Sequence, residues 1–462
     1  MSWLNPDLIR AKFSKAMSEM YQLEVPLYGD LIDLVHEVNA AELKNNNRLE
    51  QQLKSTNELE RLSEERHGAI RLGTAEELSN MRRVFAVMGM YPVGYYDLVP
   101  AGVPVHATAF RAVDAKSLAI SPFRVFTSLL RLELIENHDL RDLATKTLSD
   151  RHIFTPNALA LTEKAELQGG LSAEDAKLFV KEVLETFRWH SHAPVTREIY
   201  DALHEQHRLI ADVVAFQGPH INHLTPRTLN IDAVQMGMKT RGIPPKAVIE
   251  GPPTRQCPIL LRQTSFKALD EPVFFEGEIE GYHSARFGEI EQRGIALTAK
   301  GRALYDTLLA ATRKALNAPI TDTNANQYME LLAKEFEAFP DQYSAMQQEG
   351  LGYFYYHLDE QYQADQKTWT IEDFPSLIDQ GILTFSPIVY EDFLPVSAAG
   401  IFQSNLGENA HAEYLNWSNQ QQFENNLGCA VNDLIDIYEK VQNESIQNIL
   451  SKLNEKSAQI MV

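Results

Sequence analysis

Cysteine is nearly absent from the 462-residue chain, which has only Cys257 and Cys429. With no CxxC pair, neither a cysteine-built zinc site nor a disulfide framework is available, and the usage fits a reducing cytoplasm. Basic residues are also scarce: 42 Lys and Arg against 63 Asp and Glu give a net charge of −21. Phosphate backbones and anionic bilayers would be repelled unless basic residues were segregated into a patch, and no basic run is long enough to form one. No nucleic-acid or membrane partner is therefore expected. No apolar run approaches the roughly 18 residues of a membrane span. The opening MSWLNPDLIRAKFSKAM reads as an amphipathic helix, without the long apolar core or cleavage site of a signal peptide. The phosphate loops GxGxxG and GxxxxGK[ST] are missing, and so is the GxSxG nucleophile elbow.

What is present alternates in character along the chain. Residues 1–63 carry apolar positions at helical spacing, as in AKFSKAMSEMYQLEV, and read as N-terminal helices. Residues 64–120 read as strand, helix, strand, strand, with YPVGYYDL and VPVHATAFRAV rich in aromatic and β-branched residues. Residues 121–212 read as a helical insert that begins with FRVFTSLLRLELI. Residues 213–318 repeat the earlier order, from HINHLTPRTLNI through a short helix to the strands CPILLRQTSFKAL, EPVFFEGEIEGYH and ARFGEIEQRGIAL. A mixed C-terminal region, 319–462, ends in helix. The likeness of 64–118 to 213–293 suggests a structural repeat without sequence identity.

Fourteen histidines invite false metal sites. In ALHEQHRL, His204 and His207 are three apart, one short of HExxH, and a solvated helix face explains them. His190 and His192 suit a helix C-terminus. In GPHINHLTPR, polar residues open a strand among apolar neighbours, as in a lined cavity. In RFGEIEQRG, Glu289 and Glu291 project to one face of a strand and need a facing cation, either a metal or an arginine. EERHGAIRLG sets His67 four residues before Arg71. His67, His223 and either Glu289 or Glu291 make two histidines and a carboxylate. That is the facial set of non-haem Fe(II) oxygenases, which leaves three coordination positions open.

Long stretches of the chain, ERHGAIRLGT, MGMYPVGYYDL, SPFRVFTSLLRLELIE, HINHLTPRTL, ILLRQTSFKAL, ARFGEIEQRGIALT and YEDFLPVSAAGIFQSNLG, resemble one bacterial family, the 2-oxoadipate dioxygenase/decarboxylases or hydroxyglutarate synthases. The resemblance implies an α+β fold of the vicinal oxygen chelate type. In it, paired βαβββ modules form a curved mixed sheet around one metal, with large helical insertions. It also implies an Fe(2+) enzyme of lysine catabolism that converts 2-oxoadipate and O₂ to 2-hydroxyglutarate and CO₂. By motif, His67, His223 and Glu291 match the metal ligands, although strand alternation puts Glu289 on the same face. Arg71 matches the substrate-carboxylate arginine, and Val396 and Ser397 match further substrate contacts beside His67 and His223. A metal-dependent isomerase or lyase of glyoxalase type on the same fold is the alternative, separated by whether O₂ is consumed.

Overall fold

The computed structural model describes residues 3–359, 361, 362, 368–394 and 417–460. Val396 and Ser397 lie outside the described residues. Three helices open the chain, Pro6–Glu24, Pro26–Asn45 and Asn47–Ser55. The Asn5 side chain accepts from Asp7 N at 2.8 Å to start the first, with Pro6 at its opening turn. Its buried stripe of Ile9, Phe13, Met17, Met20 and Tyr21 follows the helical repeat and packs into the core. Each such side chain contributes roughly 1.5–3 kcal/mol by leaving water.

The first module comprises β1 (Arg66–Leu72), a helix (Ala75–Val87), β2 (Tyr91–Asp97), β3 (Val105–Arg111) and β4 (Arg124–Leu130). The second comprises β5 (His223–Pro226), a helix (Ile231–Thr240), β6 (Leu261–Ser265), the hairpin β7 (Asp270–Phe275) and β8 (Ile279–Ser284), and β9 (Phe287–Arg293). Seven of these strands form one curled mixed sheet in the order β2-β3-β4-β1-β5-β9-β6. In each module the first strand runs parallel to the last, β1 beside β4 and β5 beside β9. The modules join through the antiparallel pair β1 and β5, so the first strand of each meets at the seam. The expected α+β fold of paired modules with helical insertions is what forms.

Two sequence expectations change. FRVFTSLLRLELI was expected to open the helical insert, but its core is β4, paired on both sides. All seven β4 residues are buried, so neither face shows the polar alternation that would mark a strand. The first module therefore runs to Leu130, ten residues beyond the expected boundary, and the insert begins after it. EPVFFEGEIEGYH is two strands, turned by Gly277 and Glu278, which both adopt positive φ.

The insert holds helices His138–Ser149, Pro156–Gln168, Ala173–Leu184, Arg197–Gln206 and Arg208–Val214. The C-terminal region adds a second small sheet of β10 (Phe354–Leu358) and β11 (Leu383–Pro387). The last helix, Leu434–Ile460, seals it: Gln442 Oε1 accepts from Phe354 N and Ser445 Oγ from Tyr356 N, both at 2.8 Å. Among the described residues no helix is long and apolar enough to cross a membrane.

Candidate metal centre and substrate cavity

Three strands at the seam carry the centre. His67 stands on β1, His223 on β5 and Glu289 on β9, all fully buried. Pairing sets His67 opposite Thr225 and His223 beside Phe287, which brings the three side chains together from positions 67, 223 and 289. Gly68 lets β1 and β5 approach: a Cβ there would sit 2.8 Å from the His223 carbonyl oxygen. From the N-terminal helix, the Tyr21 hydroxyl reaches the carbonyls of Asn222 at 2.9 Å and Phe287 at 2.8 Å, which pins β5 to β9.

One atom of each residue lies within 4.8 Å of the others. His67 Nε2 is 3.1 Å from Glu289 Oε1, and His223 Nε2 is 3.9 Å from it. Neighbouring ligands at about 2.1 Å from one ion stand about 3 Å apart, so small adjustments admit a shared cation. Both ring nitrogens of His223 and Glu289 Oε2 are buried without a hydrogen-bond partner among the described residues. Such orphaned polar atoms are costly unless something fills the space between them. Burial, with His67 and Arg71 nearby, drives the His223 pKa well down, so its ring is neutral and offers a lone pair. For His67 burial pulls the other way, but Glu291 and Glu289 outweigh it and raise the pKa. Thr225 Oγ1 at 3.0 Å and Gln263 Nε2 at 2.8 Å donate to Glu289 Oε1 and fix its carboxylate plane. The donor set suits a first-row divalent metal.

Glu291 was the carboxylate matched by motif, and its surroundings are different. Arg293 binds it bidentately, with both contacts at 2.8 Å, and Arg124 lies 3.5 Å away. It belongs to a buried cluster in which Arg61, Arg124, Arg227 and Arg293 meet Glu58, Glu65, Glu291 and Glu391, four charges of each sign. Burial would raise the Glu291 pKa, but Arg293, His67 and Arg124 hold it at about 2. No arginine forms an ion pair with Glu289 among the described residues: burial raises its pKa, and His67 is the main charge that opposes this. Glu291 is thus paired with arginines, whereas Glu289 sits beside His67, Thr225 and Gln263. Glu291 Oε2 also lies 2.9 Å from His67 Nδ1.

Arg71 stands two residues beyond Ala69 on the same face of β1 as His67 and lines a cavity of about 490 Å³. Its Nη1 donates to Asp212 at 2.6 Å. Arg208, Lys246, Tyr200 and Phe287 share the wall. Phe287 stacks on His223 with centroids 4.8 Å apart, so the cavity adjoins the centre. Cationic groups outnumber carboxylates in this wall, which suits an anionic ligand.

His204 is exposed at the cavity wall and His207 caps the helix Arg208–Val214, accepting from Leu209 N at 3.1 Å. Neither they nor His190 and His192 join a metal-type cluster among the described residues. Sequence reading missed Asp212 and His283, which have no local spacing signal. It also missed the arginine cluster, whose members come from five separate segments.

A sequence profile of the 2-oxoadipate dioxygenase/decarboxylase family matches residues 13–405. The chain belongs to this family. A Pseudomonas putida member is 58% identical over 458 residues, covering 98% of each chain. An Escherichia coli member is 55% identical over 443 residues, covering 96% of this chain and 98% of that one. The crystal structure of the hydroxyglutarate synthase from Pseudomonas putida in complex with 2-oxoadipate superposes with a TM-score of 0.91. It shares 57% identity and covers 98% of this chain and 100% of that one. The chain is thus an enzyme of the 2-oxoadipate dioxygenase/decarboxylase family, and its curled seven-stranded sheet is the scaffold of that family's fold.

Proposed function

We propose that the chain converts 2-oxoadipate and O₂ to 2-hydroxyglutarate and CO₂, with Fe(2+) held by His67, His223 and Glu289. The carrying observation is the convergence of these three buried side chains beside a cationic cavity that contains Arg71. The family match and the relative crystallised with 2-oxoadipate support the substrate. The two unpaired cysteines suit a reducing cytoplasm, where lysine catabolism would supply the 2-oxo acid.

The iron, when bound, supplies a Lewis acid for the 2-oxo acid head and the redox chemistry of O₂. The chain supplies position and charge. The neutral His223 ring offers its lone pair, and Glu291, 2.9 Å from His67 Nδ1, places a negative charge beside the His67 ring. Thr225 and Gln263 hold the Glu289 carboxylate. Arg71 takes the distal carboxylate in bidentate geometry, which fixes the direction of the chain and brings the keto carbon to the centre. Phe287 and Phe393, packed on His223 and His67, keep the centre apolar around its ligands. Atoms balance without a second 2-oxo acid, because both oxygen atoms of O₂ are accounted for in the two products.

The test is O₂ uptake by protein loaded anaerobically with Fe(2+) and given 2-oxoadipate. O₂ consumed, CO₂ released and 2-hydroxyglutarate formed are expected in one-to-one-to-one ratio. Product without O₂ uptake would move the protein to the isomerase or lyase class.

A further inference from the structure

A second buried cluster stands next to the cavity. Asp212, His220 and His283 bring ligand-type atoms within 4.8 Å of one another, which resembles a second metal site. Its hydrogen bonds exclude that. Asp212 Oδ2 accepts from Arg71 Nη1 at 2.6 Å, so a guanidinium already supplies the positive charge. Asp212 Oδ1 is 2.9 Å from His283 Nε2 and 3.3 Å from His220 Nε2. His283 Nδ1 is 2.8 Å from the Tyr200 hydroxyl. An ionised aspartate only accepts, so His283 Nε2 donates to it, which leaves Nδ1 to accept from the Tyr200 hydroxyl. The result is a directed chain from Tyr200 through His283 and Asp212 to Arg71.

Each link is held by packing. Trp189 stacks nearly parallel on His283, at 10° and 6.1 Å, and meets His220 edge-on at 4.7 Å. Phe216 packs on His283 at 4.6 Å. Asp212 rides on the helix Arg208–Val214, every residue of which after Arg208 is buried. The chain therefore joins four elements, the helices Arg197–Gln206 and Arg208–Val214, the β8 strand carrying His283, and β1, around one guanidinium. A flexible arginine would otherwise lose rotamer freedom when it met a ligand.

We propose that Asp212, backed by His283 and Tyr200, is a positioning residue that aims Arg71 at the distal carboxylate of the substrate and so sets the preference for a dicarboxylic 2-oxo acid. The inference rests on the reading of Arg71 as the distal-carboxylate arginine. Asp212 occupies one Nη of Arg71, and pairing there fixes the plane of the guanidinium before the substrate arrives. The opposite possibility, that Asp212 competes with the substrate for Arg71, gives the opposite sign in the same experiment.

The test is anaerobic titration calorimetry of iron-loaded full-length protein with 2-oxoadipate and with 2-oxohexanoate, which has the same carbon count but no distal carboxylate. Wild type must prefer 2-oxoadipate; if it does not, the reading of Arg71 fails before Asp212 is tested. In Asp212→Asn the preference, expressed as the ratio of the two dissociation constants, is expected to collapse by about ten-fold, the effect of one charge-assisted hydrogen bond. In Tyr200→Phe, which leaves Asp212 in place, a smaller collapse of about two- to three-fold is expected from the loss of one neutral hydrogen bond. Should Asp212→Asn fail to fold, Tyr200→Phe decides. Equal weakening of both acids marks a merely structural role and overturns the proposal, as does an unchanged ratio or tighter binding of 2-oxoadipate.

Discussion

Glu289 and Glu291 stand two positions apart on β9 and face the same side of the sheet, yet only Glu291 is clasped by arginine. Glu289 lies among neutral donors and two imidazoles. The two carboxylates therefore differ in what their removal leaves behind. Glu289→Gln is expected to abolish stoichiometric Fe(2+) binding with little change in the thermal stability of the metal-free protein. Glu291→Gln strands Arg293 in a buried cluster, and is expected to cost about 3–5 kcal/mol in unfolding free energy. Metal analysis and denaturant melts of both variants separate the two roles. Full iron occupancy in Glu289→Gln would return the ligand role to Glu291.

Arg71→Ala removes the one guanidinium on the His67 face of β1 that lines the cavity. The expected result is a rise in KM for 2-oxoadipate of roughly ten- to a hundred-fold. Arg71→Lys keeps the charge but loses the planar fork, so it is expected to recover little. Steady-state O₂ uptake checks both, and wild-type KM in Arg71→Ala would remove the residue from the site.

Gly68→Ala puts a methyl 2.6 Å from Ile221 Cδ1 and 2.8 Å from the His223 carbonyl oxygen. The isoleucine can move, but the backbone oxygen cannot without shifting β5. A destabilisation of about 1–3 kcal/mol is expected. Fe(2+) affinity should fall with it, because the same shift carries His223 away from His67. Chemical denaturation and competitive metal titration are the measurements, and a variant with wild-type affinity would show that the seam tolerates the change.

Acid should unfold the protein in two stages. Burial holds the His106 pKa down at about 4, against 6.5 for an exposed ring. Between those values the unfolded chain binds the proton and the folded chain does not, so this stability is lost as pH falls from 6.5 towards 4. Burial would raise Glu391, but Arg61 and Arg124 hold it at about 2, against 4.5. Its contribution is present above 4.5 and lost as pH falls towards 2. Melting temperature is expected to decline from about pH 6.5 downward and more steeply below 4.5. His106→Gln should flatten the upper part only. A melting temperature independent of pH between 7 and 4 would contradict the assignment.

Legibility in the sequence followed a physical rule. β2 and β3 were readable because their aromatic and β-branched residues are bounded by turn residues. β4 was not, because it lies between β3 and β1 with both faces covered, and a strand without a polar face looks like a buried helix. His223 was readable as a polar intrusion at an apolar strand start, and His67 as a histidine in a charged, glycine-flanked stretch. The choice between Glu289 and Glu291 was not readable, since period-two alternation gives both the same face.

By itself the sequence determined the acidic, nearly cysteine-free character of the chain, the repeat of strand and helix, and the residue types from which a two-histidine, one-carboxylate centre is built. These depend on composition and on local periodicity. Only the tertiary structure decided that Glu291 and not Glu289 is paired with arginine, because that depends on where Arg124 and Arg293 lie in space, on two different strands. It also decided that Asp212 holds Arg71, joining residues 141 positions apart. Charge pairing in a buried site is set by distances between remote segments, which no local pattern records.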